Sequence, residues 1–503
     1  MRIVVIGSGF GGLAAAIRLQ AQGHDVTIVE KLDKAGGRAY VFEQDGFTFD
    51  AGPTIITAPW LIDELFALTG RKTEDYLKLV LLDPFYNIRF EDGSVFHYNG
   101  NREEIIRQVG EFSPEDVDGY LKFRDKAWEI FNVGMPLIDK PFLTAGSMLK
   151  MLPDLIRTRS DVSVAALADK YMKDERLRQV FSFHPLLVGG NPYRASSMYA
   201  LIHKLEQQWG VLFAMGGTGA LVRGFVQAFE DLGGTMRFES EVSQILVSLQ
   251  SKRTTGVRLV SGEQLPADAV VCNGDVSQAY RTLLPPLVRP SMSDSKIKRM
   301  RHSMSLFVIY FGTDKQYPDI AHHEIIMGKR YRELLEDIFE RKILADDFSL
   351  YLHRPTATDP SLAPPGHDCW YVLSPVPHLG GDIDWEAVGD RYRNRIMDYL
   401  EERYLPGLQQ HIVTERRIDP RYFENTLNSY MGSAFGPEPV LTQSAYMRPH
   451  NVSKDIPNLF FCGAGTHPGA GLPGVISSGK IVAELIGGAP VRTGAPQPEF
   501  QLR

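Results

Sequence analysis

Cysteine is scarce in this sequence. The 503 residues include three, Cys272, Cys369 and Cys462, which lie far apart and form no CxxC pair. Such spacing supports neither a disulfide framework nor a zinc cluster, and we predict a cytoplasmic protein without a metal site. The neighbouring His322 and His323 do not change this expectation, because adjacent side chains rarely bind one ion together.

Long apolar runs and excess positive charge are also missing. No run of about 18 uninterrupted apolar residues occurs, which disfavours a membrane-spanning helix. The formal net charge of −7 disfavours a nucleic-acid partner and attraction of the whole molecule to anionic lipid. Apolar residues at 44% and charged residues at 23% are typical of a folded globular protein. The length predicts two or three domains.

Glycine, by contrast, is concentrated near the N-terminus, in IVVIGSGFGGLAAAIRL (3–19). Gly7, Gly9 and Gly12 form G-x-G-x-x-G between a predicted strand and a predicted helix, and a second predicted strand ends at Glu30. This context is the dinucleotide-binding fingerprint. We expect Gly7 to make the tight turn, Gly9 to let backbone N–H groups approach a pyrophosphate, and Gly12 to let helix and strand pack closely. Glu30 can accept hydrogen bonds from a ribose.

A second glycine cluster lies near the C-terminus, in NLFFCGAGTHPGAGLPGVISSGKIVAELI (458–486). A short predicted strand leads into the glycines, and a helix is predicted to begin near Pro473, because proline fits a first helical turn. The N-terminus of this helix would stabilise the negative charge of a reduced flavin near N1 and O2. The first motif alone does not separate NAD from FAD. One glycine site for each end of the cofactor favours FAD.

A third segment, KLDKAGGRAYVFEQDGFTFDAGPTII (31–56), follows the second predicted strand. Its Gly36-Gly37-Arg38 loop can pass beneath the same cofactor, where Arg38 can pair with a phosphate. The turn at Gly52-Pro53 offers a further close approach of the backbone. We therefore expect this segment to contribute to the cofactor site.

These motifs together resemble the bacterial and fungal phytoene desaturases, which are FAD-containing carotenoid desaturases. The resemblance rests on the fingerprint, on Gly36-Gly37-Arg38, and on FDAGPTII (49–56) and GAGTHPGAGLPGV (463–475). Central blocks match as well, among them FSFHPLLVGGNPY (181–193) and YALIHKLEQQWGVLFAMGGTGALVRG (199–224). The likeness extends through nearly the whole chain.

The resemblance implies an α/β fold: an FAD-binding Rossmann-like domain of the amine-oxidase and glutathione-reductase type, a mixed β-sheet substrate domain and a helical cap. Residues 100–215 have the spacing of amphipathic helices, whereas residues 300–380 are richer in β-branched and aromatic residues. The expected division is an FAD-binding domain over 1–85, 216–290 and 440–488, a substrate domain over 86–105 and 291–439, a helical, membrane-facing region over 106–215, and a flexible tail over 489–503.

The resemblance also assigns cofactor-binding residues, and Val242 would bind the adenine through its backbone. The residues expected to bind FAD are Gly7, Gly9, Phe10, Gly11, Gly12, Glu30, Lys31, Gly36, Gly37, Arg38, Gly52, Pro53, Thr54, Val242, Gly463, Ala464, Gly474, Val475 and Ile476. Many related flavoproteins carry Gly-Asp where this chain has Gly463-Ala464. The ribityl contacts are therefore expected from backbone groups or from Thr466.

The implied reaction is dehydrogenation of the acyclic carotenoid phytoene, in several steps to lycopene, by hydride transfer to the flavin. A quinone or dioxygen would reoxidise the flavin. A desaturase or isomerase of another carotenoid stays open, as does an amine oxidase. No Ser-His-Asp set is recognisable, and no catalytic base is predicted. His467 lies either near the flavin or in a structural hydrogen bond of its loop.

An apolar segment broken by prolines, FNVGMPLIDKPFLTAGSMLKMLPDLIRTR (131–159), carries Lys140, Lys150, Arg157 and Arg159. It is either an ordinary core helix with a loop, or a patch that dips into one leaflet with its basic groups at the lipid head groups. A carotenoid has to be collected from a bilayer, since each buried methylene favours an apolar phase by about 0.8 kcal/mol. We therefore expect a peripheral protein on the inner face of the cell membrane.

Overall fold

The computed structural model describes residues 1–488, so the predicted tail over 489–503 lies outside the described residues. The strands are β1 (Arg2–Ile6), β2 (Asp25–Val29), β3 (Val41–Gln44), β4 (Phe47–Asp50), β5 (Leu79–Leu81), β6 (Tyr86–Arg89), β7 (Val95–Tyr98), β8 (Leu212–Ala214), β9 (Thr235–Arg237), β10 (Val242–Val247), β11 (Thr254–Leu259), β12 (Gln264–Pro266), β13 (Ala269–Cys272), β14 (Ser305–Thr313), β15 (His323–Ile326), β16 (Leu350–His353), β17 (Asp368–Val376), β18 (Ile412–Ile418) and β19 (Leu459–Phe461).

The α-helices alternate with these strands and with short 3₁₀ turns. They are α1 (Phe10–Ala21), α2 (Pro59–Ala67), α3 (Arg102–Phe112), α4 (Val117–Gly134), α5 (Ala145–Arg157), α6 (Val164–Tyr171), α7 (Glu175–Val180), α8 (Leu201–Trp209), α9 (Thr218–Asp231), α10 (Val276–Leu283), α11 (Asp294–Arg299), α12 (Tyr331–Glu336), α13 (Trp385–Arg403), α14 (Leu408–His411), α15 (Pro420–Asn425) and α16 (Leu472–Ile486). Across residues 1–488, none of these helices is both long and apolar enough to cross a bilayer.

A five-stranded parallel sheet, in the order β19-β13-β1-β2-β9, organises the first layer. Alternate residues of a strand face opposite sides of a sheet. Ile3 and Val5 of β1 pack in the core that includes α1, α9 and α16, whereas Val4 packs in the core formed with β10 and β11. Both faces are covered, which explains the uninterrupted apolar run of β1. The predicted strand, helix and second strand of the fingerprint are confirmed.

A seven-stranded mixed sheet, in the order β18-β14-β17-β16-β15-β6-β7, forms the second layer. Only the β15–β6 pair is parallel; its other pairs are antiparallel. Along β14, Phe307 and Ile309 pack with α13, while Val308 and Tyr310 face the opposite side and line a large internal cavity. The predicted richness in strands of residues 300–380 is confirmed.

Helices α3 to α8 form the third part of the structure, between residues 102 and 209. Tyr120, Phe123 and Ile130 of α4 are buried, and α4 packs against α8. Helix α5 differs from the others, because none of its residues is buried. The predicted helical character of this stretch is confirmed, and the domain boundaries given above stay predictions.

Candidate active site

The two glycine clusters, from opposite ends of the sequence, are in contact. Helices α1 and α16 pack side by side, and a Cβ added at Gly479 would lie 2.7 Å from the backbone nitrogen of Ala15. A Cβ added at Gly11 would lie 2.9 Å from the backbone nitrogen of Gly463. Glycine at these positions therefore lets the two helix N-termini approach each other at one place.

Both helix N-termini present backbone N–H groups without an acceptor among residues 1–488. At α1 these are the N–H groups of Phe10, Gly11 and Gly12. At α16 they are those of Leu472 and Gly474. Unsatisfied amides and the positive end of the helix dipole favour negatively charged groups. The pair of helices is thus suited to a ligand with negative charge at two points, such as the pyrophosphate and the ring of FAD.

Two glycines of the site, one in the fingerprint and one in the Gly-Pro turn, are required by close backbone contacts. A Cβ at Gly12 would lie 2.2 Å from the carbonyl oxygen of Gly7, which confirms the expected close packing of helix and strand. A Cβ at Gly52 would lie 1.9 Å from the carbonyl oxygen of Arg38, so the Gly-Pro turn passes directly against the Gly36-Gly37-Arg38 loop. Gly7 has φ of 90°, the left-handed region that glycine adopts most readily.

A cavity of about 610 Å³ extends from these loops into the body of the protein. Its wall is made largely of apolar side chains from the mixed sheet, from α5, from α8 and from the turn after α4, among them Met135, Met151, Leu205, Val308 and Leu373. Most of the predicted cofactor residues line it: Gly9, Phe10, Gly11, Gly36, Gly37, Arg38, Gly52, Pro53, Thr54, Gly463, Ala464, Gly474 and Val475. The remaining predicted residues, which do not line it, are Gly7, Gly12, Glu30, Lys31, Val242 and Ile476.

Glu30 lies at the end of β2 and is buried, with 5% of its surface exposed. Its carboxylate accepts hydrogen bonds from the backbone N–H and hydroxyl of Ser8, at 2.9 and 2.7 Å, and from the N–H of Leu32 at 3.0 Å. These bonds fix the carboxylate beside the fingerprint loop. An ionised carboxylate has about four acceptor sites, and Oε1, which accepts only one of these three hydrogen bonds, keeps a site for a ribose.

Lys31 and Val242 do not line the cavity, and both contact other parts of the protein. The Lys31 ammonium donates to the side-chain oxygen of Asn428 at 3.2 Å. Val242 begins β10, is paired with Leu259 and is buried in the core between the five-stranded parallel sheet and a three-stranded sheet of β10, β11 and β12. Their contacts with the cofactor stay predictions.

Arg38 and Asp275 hold buried polar atoms that lack partners among the described residues. The Arg38 guanidinium donates to the Ser429 hydroxyl at 3.0 Å, and its Nη2 lies 3.9 Å from Oδ2 of Asp275. Nε of Arg38 and Oδ2 of Asp275 make no hydrogen bond. Both residues line the cavity beside the glycine loops. Buried polar atoms are normally hydrogen-bonded, so this pair fits a polar ligand with both donors and acceptors, such as the diphosphate and sugar parts of FAD.

The sequence gives no direct signal for Asn273 and Arg448, which hold the glycine loops. Asn273 follows β13. A Cβ added at Gly9, Gly11 or Gly463 would lie within 2.8 Å of the side-chain amide of Asn273. The position is the carboxyl end of a parallel strand, where ligands bind in open α/β sheets. Arg448 donates to the carbonyl oxygens of Thr466 and Ala464 from behind the C-terminal loop.

The structural hydrogen bond of His467 reaches outside its own loop, to the turn after α4, and its position near the flavin stays a prediction. Its Nε2 lies 3.3 Å from the carbonyl oxygen of Leu137, its Nδ1 has no partner in residues 1–488, and it lines the cavity. Burial lowers the pKa of His467 to about 4, so its ring is neutral near pH 7. Thr466 faces away from the cavity, because its hydroxyl is bonded to Asn451 and Gly463. Of the two sources considered for the ribityl contacts, the backbone is the one that remains accessible.

A polar strip crosses the otherwise apolar wall. The Thr54 hydroxyl is 2.9 Å from that of Tyr351 and 2.8 Å from that of Tyr371, and Tyr351 is 2.6 Å from Nδ1 of His323. The antiparallel pairing of β15 with β16 places His353 opposite His323, with 3.2 Å between their Nδ1 atoms. In a pair of neutral rings, one Nδ1 must carry the proton and the other must accept it. Only the ring whose Nδ1 donates then keeps a lone pair at its Nε2.

Comparison with known proteins agrees with this geometry. The model of the flavin-containing amine oxidoreductases matches residues 10–487. A lycopene-forming phytoene desaturase of Pseudescherichia vulneris is 49% identical over 487 residues, 96% of this chain and 99% of that protein. A neurosporene-forming phytoene desaturase of Rhodobacter capsulatus is 43% identical over 495 residues, 97% of this chain and 94% of that protein. The chain belongs to the flavin-containing amine oxidoreductases. Within that family it is a bacterial-type carotenoid desaturase, as its motifs predict.

Solved structures of other oxidoreductases share the fold. Cyclohexylamine oxidase of Brevibacterium oxydans IH-35A is 16% identical, with a TM-score of 0.58 over 96% of this chain and 98% of that one. An oxidoreductase of Methanosarcina mazei is 16% identical, with a TM-score of 0.62 over 96% of this chain and 100% of that one. The predicted fold class is confirmed. Membership of the family also confirms FAD as the cofactor, and the paired helix N-termini, Arg38 and Asp275 fit that group.

Proposed function

We propose that this carotenoid desaturase dehydrogenates phytoene in successive steps that end at lycopene. The observation that carries the proposal is the apolar cavity, which begins at the glycine loops and continues between the mixed sheet and α5. A long hydrocarbon fits such a wall, because burial of apolar surface is favourable by about 25 cal/mol per Å². The near full-length identity to lycopene-forming desaturases supports the same substrate and product.

FAD, when bound, supplies a two-electron acceptor for the hydride. The amides of Phe10, Gly11 and Gly12 would hold its pyrophosphate, and those of Leu472 and Gly474 would face its ring. The apolar wall aligns the polyene and excludes water, so the reaction depends mainly on positioning. Basic atoms that can receive the proton from the neighbouring carbon are few in the wall, and Nδ1 of His467, which has no partner among residues 1–488, is one of them.

The amphipathic helix α5 is the proposed membrane contact. Met148, Met151 and Leu155 share one face, which lines the cavity. The adjoining face carries Leu149, Leu152 and Ile156, with 69%, 48% and 63% of their surfaces exposed. Exposed apolar residues on a helix that also lines the cavity provide a path from a bilayer to the glycine loops.

The neighbouring segment 441–447 extends this apolar surface. Leu441 and Met447 are 40% and 60% exposed, and residues 445–447 contact α5. The basic side chains of α5 differ in whether they form ion pairs with the protein. Arg157 pairs with Asp154 and Glu129, whereas Lys150 is exposed and makes no ion pair within residues 1–488. We therefore propose Lys150 as the basic group that reaches lipid head groups on the cytoplasmic face.

Replacement of Leu149 and Ile156 together by aspartate is expected to weaken binding to lipid vesicles at least tenfold, because two apolar side chains are removed from the contact and two negative charges enter it. The measurement is co-sedimentation with vesicles that contain anionic lipid. Aspartate at Leu249 and Leu287, which are 68% and 79% exposed and lie away from α5, is the matched control. Equal binding of both double variants would reject α5 as the membrane contact.

A quinone or dioxygen is the proposed oxidant of the reduced flavin. Both are small and partition into apolar surroundings, so either can reach the flavin through the same cavity as the carotenoid. Anaerobic reactions with and without a quinone, compared with aerobic reactions, distinguish the two. Turnover that stops without oxygen even when a quinone is present would identify dioxygen.

The reaction itself is tested with FAD-saturated protein, phytoene in vesicles and each oxidant, followed by chromatography of the pigments. We expect products that lose two hydrogens at each step and absorb at progressively longer wavelengths. Products of unchanged mass would identify an isomerase instead. Peroxide release with polyamines, without any carotenoid product, would identify an amine oxidase.

A further inference from the structure

Arg448 is a buried positive charge without a negative partner. Only 3% of its surface is exposed. The guanidinium donates to four backbone carbonyl oxygens: those of Ala464 at 2.7 Å, Thr466 at 3.0 Å, Pro437 at 3.1 Å and Gln443 at 3.4 Å. No carboxylate oxygen of residues 1–488 lies within 4.0 Å of it. Its hydrogen-bonding capacity is largely used, but its charge is not compensated.

Arg289 shows the usual arrangement in the same protein. It is also buried, with 1% of its surface exposed, and it donates to the carbonyl oxygens of Leu284 and Met292. In addition, its Nη2 lies 2.8 Å from a carboxylate oxygen of Asp294. Buried charges are normally paired, because desolvation of an isolated charge is unfavourable. The uncompensated charge of Arg448 therefore points to a negative charge that a bound ligand supplies.

The position of Arg448 indicates what that ligand is. Ala464 lines the cavity, and a Cβ added at Gly469 would lie 3.7 Å from Cζ of Arg448. The guanidinium thus lies directly behind the loop 463–471, which leads into the N-terminus of α16. This is the loop against which the flavin ring is placed in the proposed function. Tyr199 also lines the cavity; burial raises the pKa of its hydroxyl, and the positive charge of Arg448 acts against that shift.

We propose that Arg448 is the counter-charge of the reduced flavin, an inference that rests on the proposed placement of the ring. Uptake of one hydride adds two electrons and one proton to the bound flavin, which leaves one additional negative charge near N1 and O2. A fixed positive charge behind the loop stabilises that charge in a low-dielectric surrounding. Arg448 therefore raises the reduction potential of the flavin.

Arg448 is also a positioning residue for the loop. It binds the carbonyl oxygens of Ala464 and Thr466, and a trans peptide directs its N–H opposite to its C=O. The N–H groups of Gly465 and His467 are thereby turned away from the guanidinium, and neither has an acceptor among residues 1–488. Removal of Arg448 is expected to release these peptide planes as well as the charge.

The test compares Arg448→Met, which removes the charge, with Arg448→Lys, which keeps it. Flavin content, reduction potential and affinity for sulfite are measured without any carotenoid. Sulfite adds to the oxidised flavin and leaves a negative charge on the ring, so its affinity reports the positive charge nearby. Arg289→Met is the matched control for loss of a buried arginine.

We expect Arg448→Met to bind sulfite at least tenfold more weakly and to lower the two-electron potential by at least about 30 mV, which is the equivalent of a tenfold change. Arg448→Lys and Arg289→Met are expected to stay near the wild type in both measurements. A flavin-loaded Arg448→Met protein with wild-type sulfite affinity and potential would overturn the proposal.

The wild-type protein provides a second test that does not depend on folding of a variant. Its reduced flavin is expected to have the absorption spectrum of the anionic form at every pH at which the protein is folded. A neutral reduced flavin at pH 6 would overturn the proposal. Because neither measurement uses phytoene, failure of this inference is distinguishable from failure of the proposed reaction.

Discussion

Acidification from pH 7 to pH 5 is expected to remove most of the stability of the folded protein. Burial lowers the pKa of His322 and His378 to about 3 and that of His467 to about 4. An unfolded chain binds a proton at each of these histidines near pH 6.5, whereas the folded chain does not. Below pH 6.5 the unfolded state therefore binds more protons, and stability falls as the pH falls.

The expected size of this effect is large. Each such histidine contributes a slope of about 1.4 kcal/mol per pH unit between its unfolded and folded pKa values, so three together contribute about 4 kcal/mol per unit. Burial raises the pKa of Asp50 to about 6, which acts in the opposite direction and offsets about one histidine. A decrease of several kcal/mol is comparable to the whole stability of many proteins.

Urea unfolding of the FAD-saturated protein, monitored by tryptophan fluorescence between pH 8 and pH 5, measures this slope. His322→Gln is expected to reduce the slope by about 1.4 kcal/mol per pH unit, since one titrating group is lost. His378→Gln, at the second histidine whose pKa burial lowers to about 3, is expected to have the same effect. A urea midpoint that does not vary between pH 7 and pH 5 would show that these histidines are solvated in the folded protein.

Gly12→Ala is expected to yield protein without FAD. The added methyl group would lie 2.2 Å from the carbonyl oxygen of Gly7, and both groups belong to the backbone. Helix α1 and strand β1 would have to separate, which displaces the free N–H groups of the first turn from the glycine loops. The measurement is the ratio of bound FAD to protein after purification with excess cofactor.

Gly110→Ala is the matched control for this variant. Gly110 lies within α3, and its added methyl group would meet Cγ2 of Val117 at 3.5 Å, an ordinary contact. Alanine in a helix is favoured over glycine by about 1 kcal/mol, so this variant should keep its FAD and its stability. Full FAD occupancy in Gly12→Ala would contradict the close packing on which the site depends.

The N-terminal part of the site could be predicted because its determinants are local. A buried strand, three glycines at fixed spacing and a helix lie within 20 residues, and their geometry follows from backbone constraints. The C-terminal cluster was equally recognisable as a loop before a helix. Its contact with the first cluster, between Gly11 and Gly463, results from the packing of α1 on α16 and has no local signal.

Residues that act through tertiary packing could not be predicted. Arg448 lies in a loop without periodicity, and only the folded chain shows that four carbonyl oxygens surround it. His353 meets His323 through the register of β15 and β16, which a connection of 23 residues (327–349) leaves undetermined in the sequence. For the apolar segment around α5, the sequence left a core helix and a surface patch as alternatives. No residue of α5 is buried, which disagrees with a core helix, and contact with a membrane stays a proposal.

The central claim is that one cavity holds flavin and polyene together. To test it, FAD-loaded protein is mixed anaerobically with phytoene in vesicles, and both flavin absorbance and the chromatographed products are measured. Flavin absorbance is expected to be lost in a single turnover, with one carotenoid molecule losing two hydrogens for each flavin reduced. Flavin that stays oxidised in the presence of vesicle-bound phytoene, in protein saturated with FAD, would contradict it.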